Sequence, residues 1–301
     1  MLLVDFAAKR FGFFGDPSTR IMRQRSVGTR IGEGLKESGR LGEEPMRRTL
    51  EVVQSYYDAI EGRSSELSVI ATSALRRAEN ADAFTAKLRD ITRRETQILT
   101  GAEEAAASFR GAILSLDDLE DERVGVIDTG GGSTEYAVGE HERSEQSVSC
   151  EIGAVRLTEW FPALGGKDGL VDNESIDGAR AKARELLQSI LSFPPAQALA
   201  AVGGSATTAL SVVRGHRAQF GDMALRRDKL NDAFNMLCEL PVEKRRTVPG
   251  MNPQRADILP AGMLILDTAL DMLGHQSATV TYTDLLFGFL LLEREGHQYL
   301  A

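Results

Sequence analysis

Val124-Gly-Val-Ile-Asp128-Thr-Gly-Gly-Gly-Ser-Thr-Glu135-Tyr-Ala-Val138 decides how the rest of the chain is read. A short apolar strand ends in an aspartate. Three consecutive glycines, two hydroxyls and a glutamate follow, and the glutamate opens a second apolar segment. Glycine removes the side chains that keep a backbone away from a ligand. Successive main-chain N–H groups in such a turn form an anion-binding concavity. A carboxylate at each end, Asp128 and Glu135, suits a hard cation held beside the anion. The stretch therefore predicts two strands joined by a phosphate-gripping turn with places for a metal.

Working outward, helices and strands alternate. Met46, Leu50, Val53, Tyr57 and Ile60 recur at helical spacing, which predicts an amphipathic helix over Pro45 to Ile60. Leu67 to Ala71 reads as a strand. Thr72-Ser73 then offers an N-cap to a helix from Ala74 to Leu88. A strand is expected at Thr96 to Leu99 and an alanine-rich helix at Ala102 to Leu114, with Glu103-Glu104 in its first turn, where acids suit the helix dipole. After the glycine turn come a short helix at Gly153 to Phe161, a longer one at Asn173 to Ile190, and a strand at Ala198 to Val202. An apolar helix at Pro260 to Leu273, a strand at Ala278 to Tyr282 and a closing helix at Leu285 to Glu293 complete the pattern. This alternation is α/β. The polar run Leu116 to Arg123 marks the expected boundary, giving domains 1–118 and 119–283, with the last helix, about 284–301, packing back on the first.

The chain has 301 residues, a length that suits two domains. Its net charge of −9 argues against wrapping nucleic acid through a broad basic surface. Cys150 and Cys238 are far apart, outside any metal-ligand spacing, and read as reduced core residues of a cytoplasmic protein. Asp5 ends the apolar Met1 to Val4 run, so no leader is expected, and no segment reaches the ~20 apolar residues that span a bilayer.

A second glycine site supports the first. The strand ending at Val202 runs into Gly203-Gly204-Ser205 and then Thr207-Thr208 at a helix start, where free N–H groups meet a positive helix end. Alone, this is a well-capped turn; beside the first loop it reads as a second phosphate grip. Neither site has the Gly-x4-Gly-Lys-Ser/Thr spacing of the Walker loop. Asp128-Thr-Gly has no partner motif, which argues against an aspartic protease. The ordinary reading of Glu103-Glu104 is a pair of first-turn acids, and that of Arg76-Arg77 a solvated face.

In order along the chain, these segments resemble the Ppx/GppA family of exopolyphosphatases and guanosine pentaphosphate phosphohydrolases. The matching stretches are Arg30-Ile-Gly-Glu-Gly-Leu, Ser38-Gly-Arg-Leu-Gly-Glu-Glu, Ala71-Thr-Ser-Ala-Leu-Arg76 and Leu99-Thr-Gly-Ala-Glu-Glu-Ala105. The glycine turn follows, then Ile152-Gly-Ala-Val-Arg-Leu-Thr-Glu159, Val202-Gly-Gly-Ser-Ala-Thr-Thr208 and Pro249-Gly-Met-Asn-Pro-Gln-Arg-Ala-Asp-Ile-Leu-Pro-Ala-Gly262. The resemblance implies a two-lobed actin-like (ribonuclease-H-like, ASKHA) fold around an interdomain cleft. It implies Mg2+-dependent release of terminal orthophosphate from polyphosphate or a guanosine polyphosphate, and a homodimer; the charge balance and the lack of a long apolar segment point to no nucleic-acid and no membrane partner. By the same carry-over Glu104 is the general base, and Glu135 assists catalysis. Asp128, Glu135 and Asp5 hold the metal. Gly130, Gly131, Gly132, Ser133, Gly203, Gly204, Ser205 and Arg76 bind phosphate.

Two stretches depart from the family. Its first phosphate loop, Asp-x-Gly-Ser-Asn-Ser/Thr, corresponds here to Asp5-Phe-Ala-Ala-Lys-Arg10. Its closing Ser-x-x-Gly-Leu-Arg-Glu-Gly reads Thr281-Tyr-Thr-Asp284-Leu-Leu-Phe-Gly288. The alternative expectation is thus an impaired relative that binds a phosphorylated ligand in a regulatory role.

Overall fold

The structure, a computed structural model, describes residues 1–5, 20–60, 66–116, 122–167, 169–217 and 223–296. The chain divides into two units, Met1–Glu104 and Ala105–Ala301. The boundary expected at 118/119 lies outside the described residues.

In the first unit β1 (Leu2–Asp5) pairs antiparallel with β2 (Arg20–Gln24). Next come α1 (Leu35–Ser38), α2 (Glu43–Ile60), β3 (Val69–Ala71), α3 (Ser73–Arg77), α4 (Ala81–Thr92), β4 (Thr96–Ile98) and the start of α5 (Gly101–Ile113). β3 and β4 run parallel, and Leu35, Leu41, Leu75, Phe84 and Leu88 form the core. The expected helix from Ala74 to Leu88 is instead two helices. Ala78 is extended, and the Asn80 amide pairs with the main chain of Leu41, accepting from its N–H (2.8 Å) and donating to its carbonyl (3.1 Å). Such side-chain-to-backbone bonding competes with helix continuation.

The second unit holds β5 (Val124–Thr129), β6 (Thr134–Glu140), β7 (Arg143–Cys150), α6 (Ala154–Trp160), α7 (Asn173–Leu186), β8 (Ala198–Val202) and α8 (Gly203–Arg214). It continues with β9 (Ala224–Arg226), α9 (Arg227–Cys238), α10 (Val242–Arg245), α11 (Leu259–Met272), β10 (Ser277–Val280) and α12 (Leu285–Arg294). One six-stranded mixed sheet runs β7-β6-β5-β8-β10-β9. β5, β8 and β10 are mutually parallel, while β6, β7 and β9 join as antiparallel neighbours.

Strand alternation assigns the two sheet faces. Val124 and Val126 pack with Ala105, Phe109 and Ala112 of α5. Ile127, Tyr136, Val138, Leu199 and Ala201 face the larger core built with α6, α7, α8, α9 and α11. α11 is buried along most of its length, as its apolar sequence predicts. The expected helix to Ile190 ends at Leu186 and passes into a 3-10 turn, Gln188–Ser192, before Pro194. Among the described residues, no helix is long and apolar enough to cross a membrane.

Candidate functional site

In the second unit the site starts from register. β5 and β8 are parallel neighbours with Asp128 opposite Val202, so both glycine segments leave the same end of the sheet side by side. Asp128 also pairs across the antiparallel ladder with Glu135, which places both carboxylates on one sheet face. Their Cβ atoms are then about 4.5–5.5 Å apart.

The first loop, Gly130 to Ser133, is closed by the Gly130 N–H donating to the Ser133 carbonyl (3.0 Å). Its carbonyls are consumed by the first turn of α6. Ala154 N–H donates to Gly130 O (2.9 Å), and the N–H groups of Val155 (2.9 Å) and Arg156 (3.1 Å) both donate to Gly131 O. In a trans peptide, C=O and N–H point opposite ways. Tying these two carbonyls to α6 therefore turns the N–H groups of Gly131 and Gly132 away from it. Among the described residues neither N–H meets a backbone acceptor, and Gly131 is exposed.

Gly153 explains the close seating of α6: a Cβ there would stand 2.4 Å from the Gly131 carbonyl carbon and 2.6 Å from Gly132 N. None of Gly130, Gly131 and Gly132 has a left-handed backbone. Their role here is bareness rather than a special turn angle.

α8 supplies the second segment. Gly203 is left-handed (φ +81), and a Cβ on it would lie 2.6 Å from Asp128 Oδ1. A Cβ on Gly204 would fall 1.9 Å from Nη2 of Arg255, so that guanidinium lies directly against the Gly204 backbone. The buried Ser205 hydroxyl donates to Thr129 O (3.0 Å), binding α8 to the end of β5. What Ser205 can offer an anion is thus its main-chain N–H rather than its hydroxyl.

Electrostatics follow from burial. Asp128 accepts from Ser108 Oγ (2.7 Å); burial pushes its carboxyl above the usual range, against the pull of Ser108 and Arg255. Arg255 is lowered by burial and partly restored by Asp128. Glu135 is buried and accepts from Ser149 Oγ (2.6 Å). Asp284, at the start of α12, accepts from Leu286 N–H (3.1 Å); burial first, then the charge of Asp128, push its carboxyl up to about 6. The departure from glycine at this position thus serves as an N-cap that adds an acid beside Asp128.

Two carboxylates with hard oxygens fit magnesium, which commonly binds through one or two carboxylates plus substrate oxygens. Among the described residues, no group of three or more His, Cys, Asp or Glu side chains converges. Asp5 ends β1, but its side chain and the altered segment 6–10 lie outside the described residues.

The first unit carries the remaining expected residues. Thr100 and Glu103 form a capping box: Thr100 N–H donates to Glu103 Oε2 (2.6 Å) and Glu103 N–H to Thr100 Oγ1 (3.2 Å). Glu103 is the ordinary first-turn acid. Glu104, beside it, is buried and pairs with Arg76, whose Nη1 also donates to Leu99 O (2.6 Å). Arg76 is therefore no solvated-face residue.

Sequence alone gives no role to three residues of this constellation, Ser108, Asp284 and Arg255. The signal for Arg255 was present in Asn252-Pro-Gln-Arg255-Ala-Asp257, where a lone guanidinium follows a proline turn. Only the fold shows that it lies on Gly204.

Comparison with known proteins converges on one family. The model of the Ppx/GppA phosphatase family matches residues 14–291, beginning beyond Asp5 to Arg10. A bifunctional 3-dehydroquinate synthase/phosphatase of Fusobacterium nucleatum is 30% identical over 270 residues, covering 87% of this chain but 40% of its own length. Exopolyphosphatase 2 of Mycobacterium tuberculosis is 31% identical over 285 residues, covering 87% of this chain and 86% of its own. The structure of the Aquifex aeolicus PPX-GPPA enzyme superposes with a TM-score of 0.73 at 26% identity over 92% of each chain. The α/β, actin-like fold class is the one the resemblance implied, and the chain belongs to the Ppx/GppA phosphatase family.

Proposed function

We propose that this chain is a phosphohydrolase that releases terminal orthophosphate from inorganic polyphosphate or a guanosine pentaphosphate. The observation that carries the reading is the loop whose carbonyls are tied to α6 while the N–H groups of Gly131 and Gly132 are turned outward. Those N–H groups and the start of α8 bind the terminal phosphate. Arg255 offers charge at Gly204, where the second segment meets it. Phosphoryl transfer rests mostly on positioning and charge stabilisation, so such donors supply much of what the reaction needs.

In this reading Glu104 takes the proton of the attacking water. The water oxygen bonds to the terminal phosphorus, the bridging P–O bond breaks, and the shortened chain leaves with the bridging oxygen. Asp128 and Glu135 would hold magnesium, which when bound neutralises phosphate charge and polarises the P–O bonds. The acidic surroundings, with Asp284 added, make that neutralisation necessary for a polyanion to approach.

The test is orthophosphate release by the purified protein from both substrates in magnesium. Wild type is expected to turn over at least one of them, and Glu104→Gln to lose release while keeping its melting profile. Wild type that is inert on both substrates, yet binds them, would favour the regulatory alternative instead.

A further inference from the structure

Two serine hydroxyls stand against the two carboxylates that fit magnesium. Register sets Asp128 on β5 opposite Glu135 on β6, and Glu135 opposite Ser149 on the edge strand β7, so the three side chains form one row on one sheet face. Ser149 Oγ donates to Glu135 Oε1 (2.6 Å). At the other end of the row the buried Ser108 of α5 donates from Oγ to Asp128 Oδ2 (2.7 Å), while Asp128 Oδ1 lies at Gly203. A serine has one O–H to donate, and each of these two gives it to a carboxylate oxygen. For Ser108 this is not the ordinary bond of a hydroxyl inside a helix. Such groups commonly turn back to the carbonyl four residues earlier, as Thr158, Thr207, Ser211 and Thr268 do in this chain. Ser108 reaches out of its helix to the end of β5 instead.

We propose that Ser108 and Ser149 are positioning residues for the metal: each locks the orientation of one carboxylate, so that Asp128 and Glu135 meet magnesium in fixed geometry. The proposal rests on the phosphohydrolase reading, in which those carboxylates hold magnesium, and deepens it. Among the described residues no group of three or more His, Cys, Asp or Glu side chains forms, so the aim of these two carries the more weight. Magnesium demands near-ideal octahedral coordination, whereas calcium accepts an irregular shell. A carboxylate set loose from its hydroxyl therefore costs magnesium more than calcium.

The test is a titration of the full chain with magnesium chloride and, separately, with calcium chloride at constant ionic strength, followed by amide NMR at Asp128 and Glu135. Wild type, Ser108→Ala, Ser149→Ala and Ser149→Thr are compared, and thermal melts in metal-free buffer check each fold. Each alanine variant is expected to weaken magnesium binding about ten- to hundredfold, the loss typical when the outer partner of a metal ligand is removed. Calcium binding is expected to weaken by about threefold or less. Ser149→Thr keeps a hydroxyl and suits a strand, so it is expected to bind magnesium as wild type does. The two alanine variants lie on different elements, so a fold lost in one leaves the other to decide.

Alanine variants that bind magnesium as tightly as wild type, or that lose magnesium and calcium in equal measure, would overturn the proposal and leave the two serines as plain partners of buried carboxylates. So would a wild type whose Asp128 and Glu135 resonances show no saturable shift with magnesium, even where it releases orthophosphate. Wild type that binds magnesium yet releases no orthophosphate from either substrate sinks the functional reading instead. The comparison of magnesium with calcium then still decides the role of the serines.

Discussion

Arg255 and Asp284 set the charge around Asp128, and each leads to a measurable consequence. The Arg255 guanidinium lies against the Gly204 main chain in reach of Asp128. A charged hydrogen bond lost with Arg255→Met costs about 1.5–3 kcal/mol, so KM for the preferred substrate should rise about ten- to hundredfold with less change in kcat. An unchanged KM would remove Arg255 from the site. Asp284 has a folded-state carboxyl raised to about 6 by burial and by Asp128. A raised carboxyl binds protons more tightly folded than unfolded. Its stabilising contribution is therefore full below about pH 4 and is lost as pH rises through about 6. Asp284→Asn keeps an acceptor for the Leu286 N–H and removes the charge. In magnesium-free buffer the variant should gain on wild type between pH 4 and pH 7, by roughly 1–3 kcal/mol. Urea midpoints at the two pH values check this, and an equal difference at both would contradict it.

Among the elements, α6 matters most to the loop although it is only seven residues long. Its first N–H groups hold the loop carbonyls, and Gly153 lets it approach within contact of Gly131 and Gly132. Gly153→Ala inserts a methyl group against main chain that has no side chain to move aside. The expected cost is about 1–3 kcal/mol in stability, with most orthophosphate release lost; a thermal melt and the release assay report each. Elements with apolar periodicity were legible in the sequence, including α2, α5, α8, α11 and α12. β7 was not, because Arg143-Ser-Glu-Gln-Ser-Val-Ser-Cys150 is a polar edge strand whose outer side needs no apolar face. α9 carries the same signal: Leu230, Ala233, Phe234 and Leu237 recur at helical spacing and are all buried. The helix break at Ala78 was invisible because it depends on Asn80 finding Leu41, a contact far along the chain.

At the scale of the whole molecule, the fold class and both glycine segments could be read because bare backbone needs glycine and glycine leaves a written trace. Arg255, Ser108 and Asp284 could not be given roles, since their meaning comes from which strand ends and helix starts the sheet order brings together. That order, with β5 and β8 as neighbours, is what turns two separate turns into one site within the second unit. In the proposed reaction, outward main-chain N–H groups there grip an oxyanion. An amide NMR titration of the full chain with orthophosphate in magnesium tests it most directly. The resonances of Gly131, Gly132 and Gly204 are predicted to shift saturably together; bound phosphate that leaves all three unmoved would contradict the account.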